Sequence, residues 1–175
     1  MVRFILGGAR SGKSRYAEGL ANTAEESGLE VFYIATANSS DREGQTDIEM
    51  SARIERHQND RPNHWKTVEV PIKLAECLLA LDAEKNCILV DCLTLWTLNL
   101  LEADCLQSEK KALLDVLPNL TADVILVSNE VGLGIVPMGK LTRCFVDELG
   151  WLHQAVAEKA EAVTFVTAGL PMQLK

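Results

Sequence analysis

The sequence predicts a single α/β domain in which a parallel sheet is covered by helices on both faces. Three observations carry that expectation. Short apolar runs alternate with longer helix-like segments along all 175 residues. The interior runs are apolar throughout, as strands buried between two helical layers must be. The first run is followed at once by a glycine-rich turn that opens a helix. The length suits one core rather than two, and no linker, repeat or low-complexity tract divides it, so residues 1–175 are read as one domain.

In order, Val2–Leu6 predicts the first strand and Ser11 to about Glu26 the first helix, with Ala, Leu and Glu in its body. Glu30–Ala35 is rich in β-branched and aromatic residues and predicts a second strand. Residues 36–46 lack apolar periodicity and read as a loop, and Asp47 to about Asn59 reads as a helix capped by Asp47. Lys66–Val70 is a short strand, Ile72–Glu84 a helix and Asn86–Asp91 a buried strand ending in a carboxylate. Leu93–Leu106 and Glu109–Leu117 read as helices, and Asp123–Ser128 as an apolar strand followed by the glycine-rich stretch 129–137. A long amphipathic helix, Leu141–Ala160, precedes a last strand at Ala162–Thr167.

Lys+Arg 17 against Asp+Glu 25 gives a net charge of −8, the wrong balance for a protein that grips nucleic acid through its phosphates. The most apolar stretch, Cys87–Leu101, is interrupted by Asp91, Thr94, Thr97 and Asn99, so no stable membrane insertion is expected. The N-terminal run turns glycine-rich after four apolar residues, too short for a secretory segment. Five cysteines without a C-x-x-C pair read as reduced thiols of a cytoplasmic protein and do not support zinc.

Residues 7–14, GGARSGKS, match the phosphate-loop pattern through Gly7, Gly12, Lys13 and Ser14. Glycines let the backbone turn tightly and aim N–H groups at a phosphate, and the helix N-terminus adds a favourable dipole. Lys13 would neutralise β- and γ-phosphate charge, and the Ser14 hydroxyl would hold Mg²⁺. Asp91, at a strand end, is placed to sit near that metal, although a helix N-cap or a solvated strand end is the plainer alternative. Arg10 and Arg15 add local positive charge to an acidic chain.

A second constellation places Arg53, Arg56 and His57 at i, i+3 and i+4 on one expected helix face, with Arg61 beyond. Cations disfavour a further positive charge and so keep an imidazole neutral, and a neutral imidazole is a competent nucleophile toward phosphorus. A lone histidine is more often structural, and spacing alone leaves both roles open for His57. His64 and His153 have no comparable setting and read as structural or surface groups. The guanine-reading N-K-x-D motif of a GTPase switch is absent from the sequence, which favours group transfer over regulated hydrolysis.

Residues 7–18 (GGARSGKSRYAE), 33–36 (YIAT), 52–65 (ARIERHQNDRPNHW) and 128–137 (SNEVGLGIVP) together resemble the bifunctional adenosylcobinamide kinase / adenosylcobinamide-phosphate guanylyltransferase family, and the resemblance runs to residue 175. It implies a RecA-like, three-layer phosphate-loop fold and two reactions. Adenosylcobinamide is phosphorylated with ATP or GTP, and GMP from GTP is then attached to that phosphate, giving adenosylcobinamide-GDP and pyrophosphate in the nucleotide-loop assembly of cobalamin. The family's guanylylated histidine falls on His57. Its nucleotide contacts fall on Gly7, Gly8, Ala9, Arg10, Ser11, Gly12, Lys13 and Ser14, on Ala35 and Thr36, on Gln58, Asn59, Asp60 and Arg61, and on Glu69 and Asp91. The resemblance also implies Mg²⁺ with GTP or ATP, and a homotrimer with sites near subunit boundaries. Two positions and one short stretch depart from the family pattern. Arg56 stands where some members carry a second histidine, Asp91 where the acid can be Glu, and residues 150–154 (GWLHQ) replace a more polar stretch.

Overall fold

The computed structural model describes residues 1–37 and 62–175. Seven strands form one sheet: β1 (Val2–Gly7), β2 (Glu30–Ala35), β3 (Lys66–Glu69), β4 (Asn86–Asp91), β5 (Asp123–Asn129), β6 (Ala162–Thr167) and β7 (Leu170–Gln173). Their spatial order is β3-β2-β4-β5-β1-β6-β7, with every pair parallel except β6–β7. The described helices are α1 (Lys13–Glu26), α2 (Leu74–Ala80), α3 (Leu93–Glu102), α4 (Leu106–Val116) and α5 (Lys140–Lys159). Among the described residues no helix is long and apolar enough to cross a membrane.

The continuous apolar runs of β1, β4 and β5 are explained by their two covers. Phe4, Leu6, Ile88, Val90, Val124 and Leu126 face a layer built by Leu78, Trp96, Leu113 and Leu152 of α2 to α5. Their neighbours Ile5, Leu89, Ile125 and Val127 face the other way, onto Ala17, Ala21 and Ala24 of α1. Alternation of side chains across a strand sends successive residues to opposite faces, so a strand covered twice is apolar at every position. Small alanines along α1 let that helix lie close to the sheet. The larger residues of the opposite layer fill the space under four helices, with Trp96 donating its indole N–H to the Ile72 carbonyl at 2.7 Å.

The expected alternation holds, with adjustments at element ends. The first helix begins at Lys13 rather than Ser11 because Gly12 has φ of +95°, which no helical residue adopts. The helix expected over Ile72–Glu84 is only Leu74–Ala80, and the chain then turns, with Asn86 Nδ2 donating to the Leu81 carbonyl at 2.7 Å. The break expected after Leu106 falls at residues 103–105, where Asp104 adopts a left-handed φ of 54° and the Cys105 N–H returns to the Leu100 carbonyl. Strand β7 is absent from the sequence-based expectation. Pro171 argues against a strand interior, yet Pro is tolerated on an edge strand, and β7 is the sheet's edge. The turn into it, Ala168–Gly169, has positive φ at both residues (51° and 78°), which suits a tight hairpin. The helix expected from Asp47 to Asn59 lies outside the described residues.

Candidate active site

Parallel pairing brings a row of residues to the carboxyl edge of the sheet. In register across it stand Glu69 of β3, Ala35 of β2, Asp91 of β4, Val127 of β5 and Ile5 of β1. Residue Gly7, two positions beyond Ile5 and paired with Asn129, opens the loop GGARSGKS. The carboxyl ends of parallel strands are where open α/β sheets bind ligands. Five separate sequence segments therefore meet at one edge, four of them through residues singled out for the nucleotide: Glu69, Ala35, Asp91 and Gly7.

The loop's glycines meet two different demands. At Gly7 a Cβ would stand 2.4 Å from the Val166 carbonyl oxygen of β6 and 2.5 Å from Ser11 Oγ, so no side chain fits between the strand and its own loop. At Gly12 the left-handed φ requires glycine, and a Cβ would also approach Gly169 Cα at 3.1 Å. The β6–β7 turn is thus seated against the phosphate loop, and the Gly169 N–H donates to the Ser11 carbonyl at 2.8 Å. Replacing Gly12 with alanine is expected to cost about 1–3 kcal/mol of stability through backbone strain. Thermal unfolding of Gly12→Ala, with and without GTP, should show both a lower Tm and a smaller ligand-induced rise than the wild type.

Lys13 is buried, and its amine folds back to donate to the Gly8 carbonyl at 3.3 Å. Burial pulls its pKa below the ordinary lysine value, against the opposing attraction of the Asp91 carboxylate. Ser11 Oγ is buried and meets no hydrogen-bond partner among the described residues. Arg10, within the loop, and Arg15, just after it, are exposed.

Beside Lys13 the ends of β2 and β4 are clamped together. The Tyr33 hydroxyl donates to Asp91 Oδ2 at 3.1 Å. Thr36 is buried; its hydroxyl donates to the Cys92 carbonyl at 2.7 Å and accepts the Cys92 N–H at 2.8 Å, while Asn99 Nδ2 donates to the Thr36 carbonyl at 2.7 Å. Burial and the adjacent Asp91 push the Cys92 thiol up to about 11, so it stays protonated at neutral pH. Ala35 and Asp91 are partly exposed at this edge and Glu69 is exposed. A hydroxyl at Ser14 and a carboxylate at Asp91 are hard oxygen donors of the kind Mg²⁺ prefers. Among the described residues no cluster of three or more His, Cys, Asp or Glu forms a metal cage.

Arg53, Arg56, His57, Gln58, Asn59, Asp60 and Arg61 lie outside the described residues. His64 is a surface residue with Nε2 2.8 Å from Glu25 Oε1. His153 is buried inside a polar chain that sequence reasoning did not assemble: Thr94 Oγ1 and Ser128 Oγ are 3.0 Å apart, Ser128 Oγ is 2.7 Å from His153 Nε2, and His153 Nδ1 faces Glu130 Oε2 at 3.7 Å. The polar Ser128 inside an apolar strand was the available signal, but its partners are 25 and 34 residues away.

A family model described as cobinamide kinase / cobinamide phosphate guanyltransferase matches residues 3–174. A bifunctional adenosylcobalamin biosynthesis protein, CobP of Pseudomonas aeruginosa, is 56 % identical over all of this chain and 98 % of its own length. Bifunctional adenosylcobalamin biosynthesis proteins CobU of Salmonella typhimurium and Escherichia coli are 36 % and 37 % identical over the full length of both chains. Among solved structures, the flagellar accessory protein FlaH of Methanocaldococcus jannaschii superposes with a TM-score of 0.55 at 17 % identity, covering 99 % of this chain and 77 % of its own. A second solved structure, of an ATPase domain, does so with a TM-score of 0.50 at 14 % identity, covering 94 % and 68 %. These two likenesses bear on the fold alone, which is RecA-like.

Proposed function

Because the chain belongs to the cobinamide kinase / cobinamide phosphate guanyltransferase family, we propose that it phosphorylates adenosylcobinamide with ATP or GTP and then joins GMP from GTP to that phosphate. The observation that carries this reading is the buried Lys13 inside a glycine loop at the sheet's carboxyl edge, electrostatically coupled to Asp91. A desolvated amine in a glycine loop that opens a helix suits a polyphosphate, since its attraction for anionic oxygens strengthens where water is excluded.

In the kinase step the acceptor hydroxyl oxygen bonds to the γ-phosphorus as the nucleoside diphosphate leaves. Lys13 exchanges its Gly8 carbonyl for phosphate oxygens and offsets the charge gathering on them. In the second step the imidazole of His57 bonds to the α-phosphorus of GTP while the α–β oxygen bridge breaks and pyrophosphate departs. A phosphate oxygen of the corrinoid then displaces the imidazole, which returns to its starting form. Arg53, Arg56 and Arg61 are the cations assigned to stabilise charge in this step. Mg²⁺, held by Ser14 and Asp91 with the nucleotide, would supply further charge neutralisation.

Ala35, Thr36, Glu69 and Gln58 to Arg61 are proposed to line the nucleotide, together with loop residues 7–14. Thr36 would do so through the strand ends it fastens, its own hydroxyl being occupied. A homotrimer in the cytoplasm, with sites near subunit boundaries, completes the reading.

The test supplies adenosylcobinamide and Mg²⁺ with GTP labelled on either the γ- or the α-phosphate. One corrinoid product incorporating both labels is expected. Incorporation of γ-label alone would leave a simple small-molecule kinase, and incorporation of neither would leave a nucleotide-binding interaction protein.

A further inference from the structure

The chain Thr94–Ser128–His153–Glu130 joins α3, β5 and α5 immediately beside the phosphate loop. Ser128 and His153 are both more than nine-tenths buried, and the His153 ring packs against Phe4 with ring centres 5.5 Å apart. Glu130 follows the last residue of β5, and its N–H donates to the Gly7 carbonyl at 3.0 Å, so it flanks the first residue of the loop. Its carboxylate accepts the Gly132 N–H through Oε1, turns Oε2 toward His153, and remains 22 % exposed.

The proton order along this chain follows from what each group can do. A carboxylate only accepts, so the His153 Nδ1 that faces it carries the proton. Burial holds the histidine's pKa below its ordinary value against the opposing pull of Glu130 and so favours the neutral ring, whose Nε2 must then accept. Ser128 therefore donates to Nε2 and accepts from Thr94, whose oxygen in turn accepts the Asn129 N–H at 2.7 Å. Every member has a partner, so the arrangement fixes the orientation of the one member that water can reach. A buried polar network spanning three elements is costly unless fully satisfied, and this one ends on a reachable carboxylate rather than on a core group.

The second carboxylate at this edge is differently placed. Asp91 accepts from the Tyr33 hydroxyl and lies within the field of Lys13, on the β4 side of the loop. Glu130 follows β5, the strand between β4 and β1, and from it the chain continues into exposed Leu133, Ile135, Val136 and Met138. Two acids at one sheet edge, one beside the lysine and one leading into an open apolar rim, suit different tasks. We propose that Glu130 is the catalytic base of the kinase step and His153 its positioning residue, an assignment that rests on the kinase half of the function proposed above. As the acceptor hydroxyl oxygen bonds to the γ-phosphorus, its proton passes to a Glu130 oxygen. The γ-phosphorus–bridging oxygen bond breaks, and its electron pair leaves with the nucleoside diphosphate. GMP transfer starts from an acceptor that is already an ionised phosphate and needs no such base.

The experiment measures the two half-reactions separately: γ-label transfer to adenosylcobinamide, and GMP transfer to adenosylcobinamide phosphate. Glu130→Gln, which keeps an oxygen for the Gly132 N–H, is expected to slow the first about 10²-fold and leave the second unchanged. His153→Leu should lower kcat of the first about 10-fold through misplacement of Glu130, with the nucleotide KM unmoved, and His153→Asn should recover part of that loss. Equal losses in both half-reactions, or no loss in either, overturn the assignment. Wild-type protein that never phosphorylates adenosylcobinamide would fail before any variant is compared, and would overturn the kinase reading together with it.

Discussion

Lys13→Ala is expected to abolish both half-reactions, each falling by about 10³-fold or more, while the protein remains folded. The side chain is buried, donates among the described residues only to the Gly8 carbonyl, and has its charge disfavoured by the burial that Asp91 only partly offsets. Its folded-state pKa lies below the unfolded value. The folded protein therefore binds fewer protons there, and the charged amine opposes folding until pH rises through the depressed pKa. Removing it should leave the Tm of the ligand-free protein unchanged or raised, and should remove most of the stabilisation by GTP. On the proposed reading both reactions pass a triphosphate through one loop, so a loss confined to one half-reaction would refute a shared site. Steady-state rates with γ- and α-labelled GTP, beside thermal unfolding curves, provide the check.

His57→Asn, unlike Lys13→Ala, should split the activities, in the sense opposite to Glu130→Gln. GMP transfer is expected to fall about 10⁴-fold or more, because asparagine has no nitrogen lone pair able to bond to phosphorus. Phosphorylation of adenosylcobinamide should stay within the same order of magnitude, since that step uses the loop rather than the imidazole. Feeding the variant adenosylcobinamide phosphate with GTP would separate the two: no GDP-linked corrinoid forms, yet γ-label still reaches adenosylcobinamide. Restoration of GMP transfer by asparagine would remove the histidine from the chemistry.

How far the molecule was legible in advance depended on the range of the interactions concerned. The strands β1, β4 and β5 could be read directly, because a strand covered on both faces is apolar at every position and stands out without knowledge of its neighbours. The phosphate loop was equally legible, since Gly7, Gly12, Lys13 and Ser14 act within eight consecutive residues. Strand β7 was hidden by Pro171, whose missing N–H matters only if the strand lies inside the sheet; its edge position is a property of the whole fold. The seating of the Gly169 turn on Ser11 and Gly12 joins residues more than 150 positions apart, and no local pattern announces it. The Glu130–His153 pairing was invisible for the same reason. Each residue alone reads as an ordinary polar side chain, and only the packing of α5 beneath Phe4 and Ser128 brings the ring to the carboxylate. The role assigned to His57 rests on its arginine-rich sequence surroundings and on the family to which the chain belongs.

The most direct test of the central claim, that one chain carries GMP covalently on a histidine between two uses of a single phosphate loop, is chemical trapping. Protein, Mg²⁺ and GTP labelled on the α-phosphate are mixed without corrinoid, denatured and freed of unbound nucleotide. Label is expected to remain on the wild-type chain, to be released by acid and retained in alkali, as a phosphorus–nitrogen bond requires, and to be absent from His57→Asn. Wild-type chain with no bound label, or label that persists on the His57→Asn variant, would contradict the account.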